Sequence, residues 1–309
     1  MIFDDKRVLV VGDSILDETI SGKAVGLSLE SPTLKIDESS REVTFGGAAN
    51  VVQNILALGA KCTYITPLAF DGYSQYYDNW DHKNLRLVRA TGISSNTVKT
   101  RVWIEKSGER YKYLQINKTN KFEVVNKLDS VSYHMSDADV VLLVDYGLGM
   151  FGDVNYIIKE AKKSKIPVIA SSQVSSGRNR MLLFSESNYL CMNEHEFRHI
   201  KESISRGPSR FANALSLPEG RPQCVTLGSK GSVFTDGAIV YKTPGFKVDC
   251  IDPCGAGDSF LAAFSLCIND VTEESLRFCN AWAAMSTTKI GTTSPTLKEA
   301  HELLRGPKS

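Results

Sequence analysis

The sequence predicts an α/β fold of three layers, with a mainly parallel sheet and a small β-sheet lid. Three observations carry this. Short β-branched runs alternate along the chain with amphipathic helical patterns, as strands joined by crossover helices do. The first run, residues 6–11, ends in Gly12-Asp13-Ser14 and so delivers polar groups at a strand's carboxyl end, where open α/β sheets bind ligands. Two stretches, 18–45 and 96–117, instead alternate apolar and polar residues like half-exposed antiparallel strands, and are expected to form one small sheet beside the main body.

In chain order, the first strand is 6–11, and the alternation of the first lid stretch is clearest at 33–37 and 41–45. Residues 48–58 carry apolar side chains at helical spacing and stop at Gly59, a suitable helix C-terminus, before a strand at 62–65. The second lid stretch turns at Lys106-Ser107-Gly108-Glu109. Strands follow at 139–145, 167–170, 189–192 and 223–227, with a helix near 153–164 and a hairpin over 232–241. Helices begin near 257 and cover 273–288 and 296–305. The most loop-like region, 206–222, contains a helical run at 211–215. There is no internal repeat, low-complexity tract or Gly/Pro-rich linker, so a single domain over 1–309 with inserted lid strands is the economical reading.

Composition narrows the function. Lys and Arg total 36 against 35 Asp and Glu, without the basic stripe that a nucleic-acid backbone would attract, so no nucleic-acid partner is expected. The apolar runs are far shorter than the roughly 20 residues of a membrane span. Acidic Asp4 and Asp5 stand where a signal peptide would be basic, which makes cytoplasmic residence the expectation. Seven scattered cysteines without a C-x-x-C pair read as free thiols, not as zinc ligands.

The strongest chemical signal is Gly255-Ala256-Gly257-Asp258, a glycine turn feeding an apolar helix. Small residues allow a ligand close to the backbone, and the unpaired amides and positive dipole end of a helix N-terminus hold negative charge, with phosphate the natural occupant. An Asp in that turn can accept a proton from an attacking hydroxyl while the amides stabilise a transferring phosphoryl group. Alone, the run also fits a plain helix cap. A second glycine pair, Gly46-Gly47, opens the helix that carries Asn50, whose amide offers donor and acceptor to hydroxyls; alone it also fits a tight turn. Asn193 and Glu196 follow a strand end, and could stand near a hydrated magnesium ion or cap a helix.

In this order, these residues resemble the ribokinase/PfkB family of carbohydrate kinases over nearly the whole chain. Asp252-Pro253-Cys254-Gly255-Ala256-Gly257-Asp258 is similar to the closing D-T-x-G-A-G-D signature. Gly46-Gly47-Ala48-Ala49-Asn50-Val51 matches the glycine-pair signature, and Asn193 with Glu196 the N-x-x-E motif. Thr226-Leu227-Gly228-Ser229-Lys230-Gly231 matches the nucleotide segment, and Lys289-Ile290-Gly291-Thr292 the late K-x-G-T. Within the family, Ser28-Leu29-Glu30-Ser31-Pro32 and Asp145-Tyr146-Gly147-Leu148-Gly149 most resemble the heptose 7-phosphate kinase branch.

The resemblance implies a ribokinase-like fold, ATP, Mg2+, often a monovalent cation such as K+, and a homodimer formed through the lid. It implies Asp258 as general base and the amides of Gly255, Ala256 and Gly257 as an anion hole. Asp13, Asp17, Gly46, Gly47, Asn50 and Asp145 would line the sugar site, although strand-end capping also accounts for the three aspartates. Asn193 and Glu196 would act near magnesium, Glu196 through water. Thr226, Gly228, Gly231 and Asn280 would surround the nucleotide. Asp252 would position its loop or contribute to the cation site.

The chain departs from the heptose kinases at Leu148, where they carry Lys, and at Ser171-Ser172-Gln173, where they carry D-P-K. Losing a charge-assisted phosphate contact removes about 1.5 to 3 kcal/mol, so another cation substitutes or the acceptor differs. Lys99, Arg101, Lys112, Arg178 and Arg180 are the candidates. Pro253 in place of Thr removes one backbone donor. The expected activity is therefore phosphorylation of a sugar or sugar phosphate. The alternatives are a ribose, fructose or nucleoside kinase, and a catalytically weak ribokinase-fold regulator that binds sugar or nucleotide. Residues after 296 hold one more helix, so only the kinase step of nucleotide-sugar synthesis is expected of this chain.

Overall fold

The computed structural model describes residues 3–90, 92–106, 108–119, 129–173, 180–206 and 222–306. Strand β1 (Arg7–Gly12) sets the architecture. Val8 and Val10 bury to one face and Leu9 and Val11 to the other, because a strand covered on both sides has no solvent face to alternate towards. It pairs in parallel with β4 (Lys61–Pro67) and β8 (Val140–Asp145). Beyond β4 lies β5 (Leu85–Ala90). Beyond β8 lie β9 (Val168–Ser172), β10 (Tyr189–Asn193) and β11 (Gln223–Thr226), all parallel, then antiparallel β12 (Ser232–Thr235) and β13 (Val240–Thr243).

Two cores flank this nine-stranded sheet. On one face Val8, Val10, Leu142 and Val144 pack with α1 (Ala48–Ala57), α6 (Ala256–Leu266), α7 (Glu273–Ser286) and α8 (Leu297–Arg305). On the other, Leu9, Val11, Val141 and Leu143 pack with α3 (Asp129–Met135), α4 (Asn155–Lys163) and α5 (Glu194–Arg206). Helices α7 and α8 start with reciprocal capping boxes, Thr272 with Ser275 and Thr296 with Glu299, which satisfy amides that have no partner inside the helix.

A separate four-stranded sheet, ordered β3 (Leu34–Gly47), β2 (Ser14–Leu27), β6 (Val98–Lys106) and β7 (Glu109–Lys118), forms the lid. It starts earlier than the alternation suggested. Strand β2 leaves the core at Ser14 and turns from buried to exposed along its length, while the runs at 33–37 and 41–45 are one strand that ends directly on α1. Pattern reading also missed β5, α3 and the short helix α2 (Ser74–Asp78), because each is too short or too mixed in polarity to show a period. The run at 211–215 and Ser107 lie outside the described residues.

Among the described residues no helix is long and apolar enough to cross a membrane, and no group of His, Cys, Asp or Glu forms a metal cluster. The cysteines are free thiols. Leu142 is fully buried at the centre of the sheet. Leu142→Ala should therefore lower the unfolding free energy by about 2–5 kcal/mol in chemical denaturation, with an unchanged denaturant slope.

Candidate active site

The site gathers at the carboxyl ends of β1, β8 and β10, under the base of the lid. Gly255 takes φ 81 as the residue before α6, and a Cβ there would lie 2.6 Å from Asn50 Nδ2, so both backbone and space require glycine. The first intrahelical bond runs from Ser259 N–H to the Gly255 carbonyl at 2.9 Å, which leaves the earlier amides of α6 without helical partners. That of Ala256 makes a long 3.4 Å bond to the Pro253 carbonyl. Among the described residues a Cβ on Gly257 would meet nothing within 4 Å, so they leave the helix end open there.

Asp258 is half-buried in the first turn of α6. Its Oδ1 accepts from the Tyr146 hydroxyl at 2.6 Å and its Oδ2 from Asn50 Nδ2 at 3.0 Å. Desolvation raises its pKa to about 6, and these two bonds restrain the rise by stabilising the charged form. Asp17 pushes it further up and Lys99 pulls it down. The Lys99 ammonium lies over the Tyr146 ring, 5.6 Å from its centroid.

Asp13 and Asp145 end neighbouring strands. Asp13 has no exposed surface; its Oδ2 accepts from the amides of Tyr146 at 2.8 Å and Leu148 at 3.3 Å, and its buried Oδ1 has no hydrogen-bond partner among the described residues. Burial, and then the nearby Asp145 charge, raise its pKa to about 7. Asp145 is fully engaged, accepting from the Gly147 amide at 3.0 Å, the Ser172 hydroxyl at 2.8 Å and Arg180 Nε at 2.8 Å.

Asp17 lies on lid strand β2, where its Oδ1 accepts from Arg101 Nη1 at 2.5 Å. A Cβ on Gly46 would sit 2.2 Å from Asp17 Oδ2, so the first glycine of the pair makes room for this carboxylate. Gly47 takes φ 59 where β3 passes into α1. Arg101 Nη2 also reaches Cys254 Sγ at 3.7 Å and joins the lid to the loop before α6.

On the opposite side, Asn193 and Glu196 cap each other: the Asn193 amide donates to Glu196 Oε2 at 2.8 Å, and the Glu196 amide to Asn193 Oδ1 at 2.9 Å. The mutual cap is formed, and the same residues line a cavity of about 80 Å³ with Asp145, Thr226, Gly257 and Asp258. Burial, with a contribution from Asp258, raises the Glu196 pKa to about 7.

Gly228, Gly231, Asn280 and Asp252 are not among the residues that line this cavity. Gly228 takes φ 60 facing open space, whereas Gly231 packs its backbone against 243–245. Asn280 spends its amide on the carbonyls of Thr243 at 3.2 Å and Pro244 at 3.3 Å, so it offers those donors to the loop and not to a nucleotide. Asp252 accepts from the amides of Cys254 and Gly291, both at 3.1 Å, and ties the two late motifs together.

Of the five substitute cations, Arg101 and Arg180 are paired to site carboxylates and Lys99 lies near Asp258. Lys112 lies over Trp103 on the lid, and Arg178 is outside the described residues. Reading the sequence assigned no role to Tyr146, Asn54 or Trp282. Asn54 left one signal, a second amide one helical turn after Asn50 on an otherwise apolar face.

The family model for pfkB family carbohydrate kinases matches residues 5–299. The chain belongs to that family. It is 30% identical to the bifunctional protein HldE of Campylobacter curvus over 97% of this chain and 65% of that protein. To the bifunctional protein HldE of Bradyrhizobium diazoefficiens it is 26% identical, over 93% and 60%. The chain thus spans less than two thirds of these curated relatives. Among solved structures, phosphofructokinase-2 of Escherichia coli in complex with substrates and products superposes with a TM-score of 0.75 at 17% identity, covering 97% of this chain and 98% of that one. Ribokinase of Thermotoga maritima superposes at 0.70 and 21% identity, covering 97% and 99%. These neighbours share the ribokinase-like fold.

The buried acids cost stability. A carboxyl whose folded pKa is raised binds its proton more tightly folded than unfolded, so its stabilisation is complete below about pH 4 and is lost as pH climbs through the folded value. Asp13 and Glu196 at about 7 and Asp258 at about 6 act in the same direction. The melting temperature should fall between pH 5 and pH 8. Asp13→Asn should flatten that fall and raise the pH 8 melting temperature by several degrees in a thermal scan.

Proposed function

We propose that this protein transfers the terminal phosphoryl group of ATP to a hydroxyl of a sugar or sugar phosphate, with Asp258 as general base. The observation that carries the reading is the Asp258 carboxylate, held by Tyr146 and Asn50 beside the open amino end of α6. The acceptor lies between Asp13, Asp17, Gly46, Gly47 and Asn50, with Asp145 bracing the floor. Asp258, largely ionised at neutral pH, takes the proton of the attacking hydroxyl, while the Gly255 and Gly257 amides, with that of Ala256, face the charge that builds on the phosphoryl group.

Glu196 and Asp258 line one cavity, where the Asp258 charge helps raise the Glu196 pKa, and Glu196 keeps one oxygen outside its cap that would reach a magnesium-bound water. When bound, Mg2+ supplies charge neutralisation on the phosphates. Thr226 and Gly228 form the nucleotide wall. We assign Asp252 to loop positioning; turnover that requires K+ would reassign it to a cation site. We place the reaction in the cytoplasm, where ATP is available.

The finer reading is a heptose 7-phosphate as acceptor, supported by the HldE relatives. Lys99 and Arg101 stand in for the charges absent at Leu148 and Ser171-Ser172-Gln173. A panel of sedoheptulose 7-phosphate, D-glycero-D-manno-heptose 7-phosphate, fructose 6-phosphate, ribose, fructose and adenosine, read by coupled ADP release, should favour a heptose phosphate. A better kcat/KM with ribose, fructose or adenosine would overturn that acceptor.

Asp258→Asn should cut turnover by about 10²- to 10⁴-fold, and the wild-type kcat/KM should fall below about pH 6, as the base protonates. Sugar binding without turnover, unchanged by Asp258→Asn, would support the regulator reading.

We also propose a homodimer through the lid, because β7 is exposed along its length and presents Tyr111, Tyr113, Leu114 and Ile116. In sedimentation velocity the protein should run as a dimer and Ile116→Lys as a monomer.

A further inference from the structure

Behind Asp258 runs a line of buried polar groups that the proposed chemistry does not use. Trp282 donates its indole N–H to Asn54 Oδ1 at 2.8 Å. Asn54 Nδ2 donates to Asn50 Oδ1 at 3.1 Å and to the Asn50 carbonyl at 2.9 Å. Asn50 Nδ2 then donates to Asp258 Oδ2 at 3.0 Å. Trp282 and Asn54 have no exposed surface and Asn50 has 1%.

The direction of this chain is fixed at its far end. An indole N–H only donates, so Asn54 must turn its oxygen to Trp282 and its nitrogen to Asn50. The Asn50 side-chain oxygen is thereby taken, and its amino group is left for Asp258. Were Asn50 reversed, its oxygen would face the carboxylate and its amino group would face that of Asn54, two buried repulsive contacts in place of two bonds.

We propose that Trp282 and Asn54 are positioning residues that set the polarity of Asn50, so that a donor always meets Asp258 and keeps it ionised and aimed at the acceptor. The inference rests on Asp258 as the base. Of the other titratable or charged groups, Tyr146 after β8, Asp17 on β2 and Lys99 on β6 act on this carboxyl, and its charge acts in turn on Glu196 on α5, Cys191 on β10 and Cys254 before α6. None of them touches Asn54 or Trp282 in this chain of bonds, so changes at those two positions leave the other influences in place.

The test compares Asn54→Leu, Trp282→Phe, Asn50→Leu and the double variant Asn50→Leu/Asn54→Leu in the full chain, each checked for its melting transition. The readout is the pH profile of kcat/KM with the panel acceptor that wild type uses best. Asn54→Leu and Trp282→Phe should each move the acid limb up by roughly half to one pH unit, with the KM for ATP within about twofold of wild type. The double variant should share the limb of Asn50→Leu, because Asn54 acts only through Asn50. A limb unmoved in folded Asn54→Leu or Trp282→Phe, or shifts that add in the double variant, would overturn the proposal. Should Asn54→Leu fail to fold, Trp282→Phe carries the same test. If Asp258→Asn keeps turnover, the base assignment falls and this inference with it, an outcome distinct from an unmoved limb with Asp258 essential.

Discussion

A carboxylate that takes a proton at neutral pH must be dry enough to want it and still charged enough to accept it. Asp258, the base we propose, is held between these demands by two hydrogen bonds, from Tyr146 and Asn50, set against desolvation that would otherwise carry its pKa higher. Much of the surrounding structure serves those bonds. Tyr146 is placed by its own amide, which donates to Asp13 at the end of β1. Asn50 is placed by the start of α1, which exists there because Gly47 lets the lid strand turn into a helix.

The same requirement explains why so many acids are buried at one end of the sheet. Asp13 alone, with a pKa near 7 against an ordinary 3.8, costs the fold on the order of 4 kcal/mol above neutral pH. That is a large share of the 5–15 kcal/mol by which domains are usually stable. Packing across two cores offsets it, and the parallel strands that form those cores bring Asp13, Asp145 and Asn193 to the same carboxyl edge of the sheet. Core and site are thus one arrangement: the register that buries Val10 against Leu142 also sets Asp13 within reach of the amides after β8.

The sequence made the site legible where chemistry and backbone coincide. Gly46, Gly47 and Gly255 stand where a Cβ would strike Asp17, the Asp13 carbonyl or Asn50, so the motif and its cause are the same fact. Strand ends were legible because apolar runs stop abruptly at polar residues. Long-range partners were not. Nothing near Arg180 marks it as the ion pair of Asp145, 35 residues away, and nothing near Trp282 marks it as a donor to Asn54, 228 residues away. Sequence placed Asn280 around a nucleotide and Asp252 in loop positioning or a cation site; the structure shows in addition that the Asn280 amino group and both Asp252 oxygens bond backbone groups of neighbouring loops. A motif specifies which groups are needed near a ligand; only the fold shows which are already taken.

The replaced charges follow the same logic. With Leu148 buried and Ser172 bonded to Asp145, neither position presents a cation. Of the nearby cations, Arg180 neutralises Asp145, while Arg101 neutralises Asp17 and reaches Cys254. A guanidinium shared between a carboxylate and a thiol still has donors to spare, and its planar fork suits a phosphate better than a lysine does. Because Arg101 belongs to the lid and Cys254 to the loop before α6, this one guanidinium ties the lid to the helix that carries Asp258.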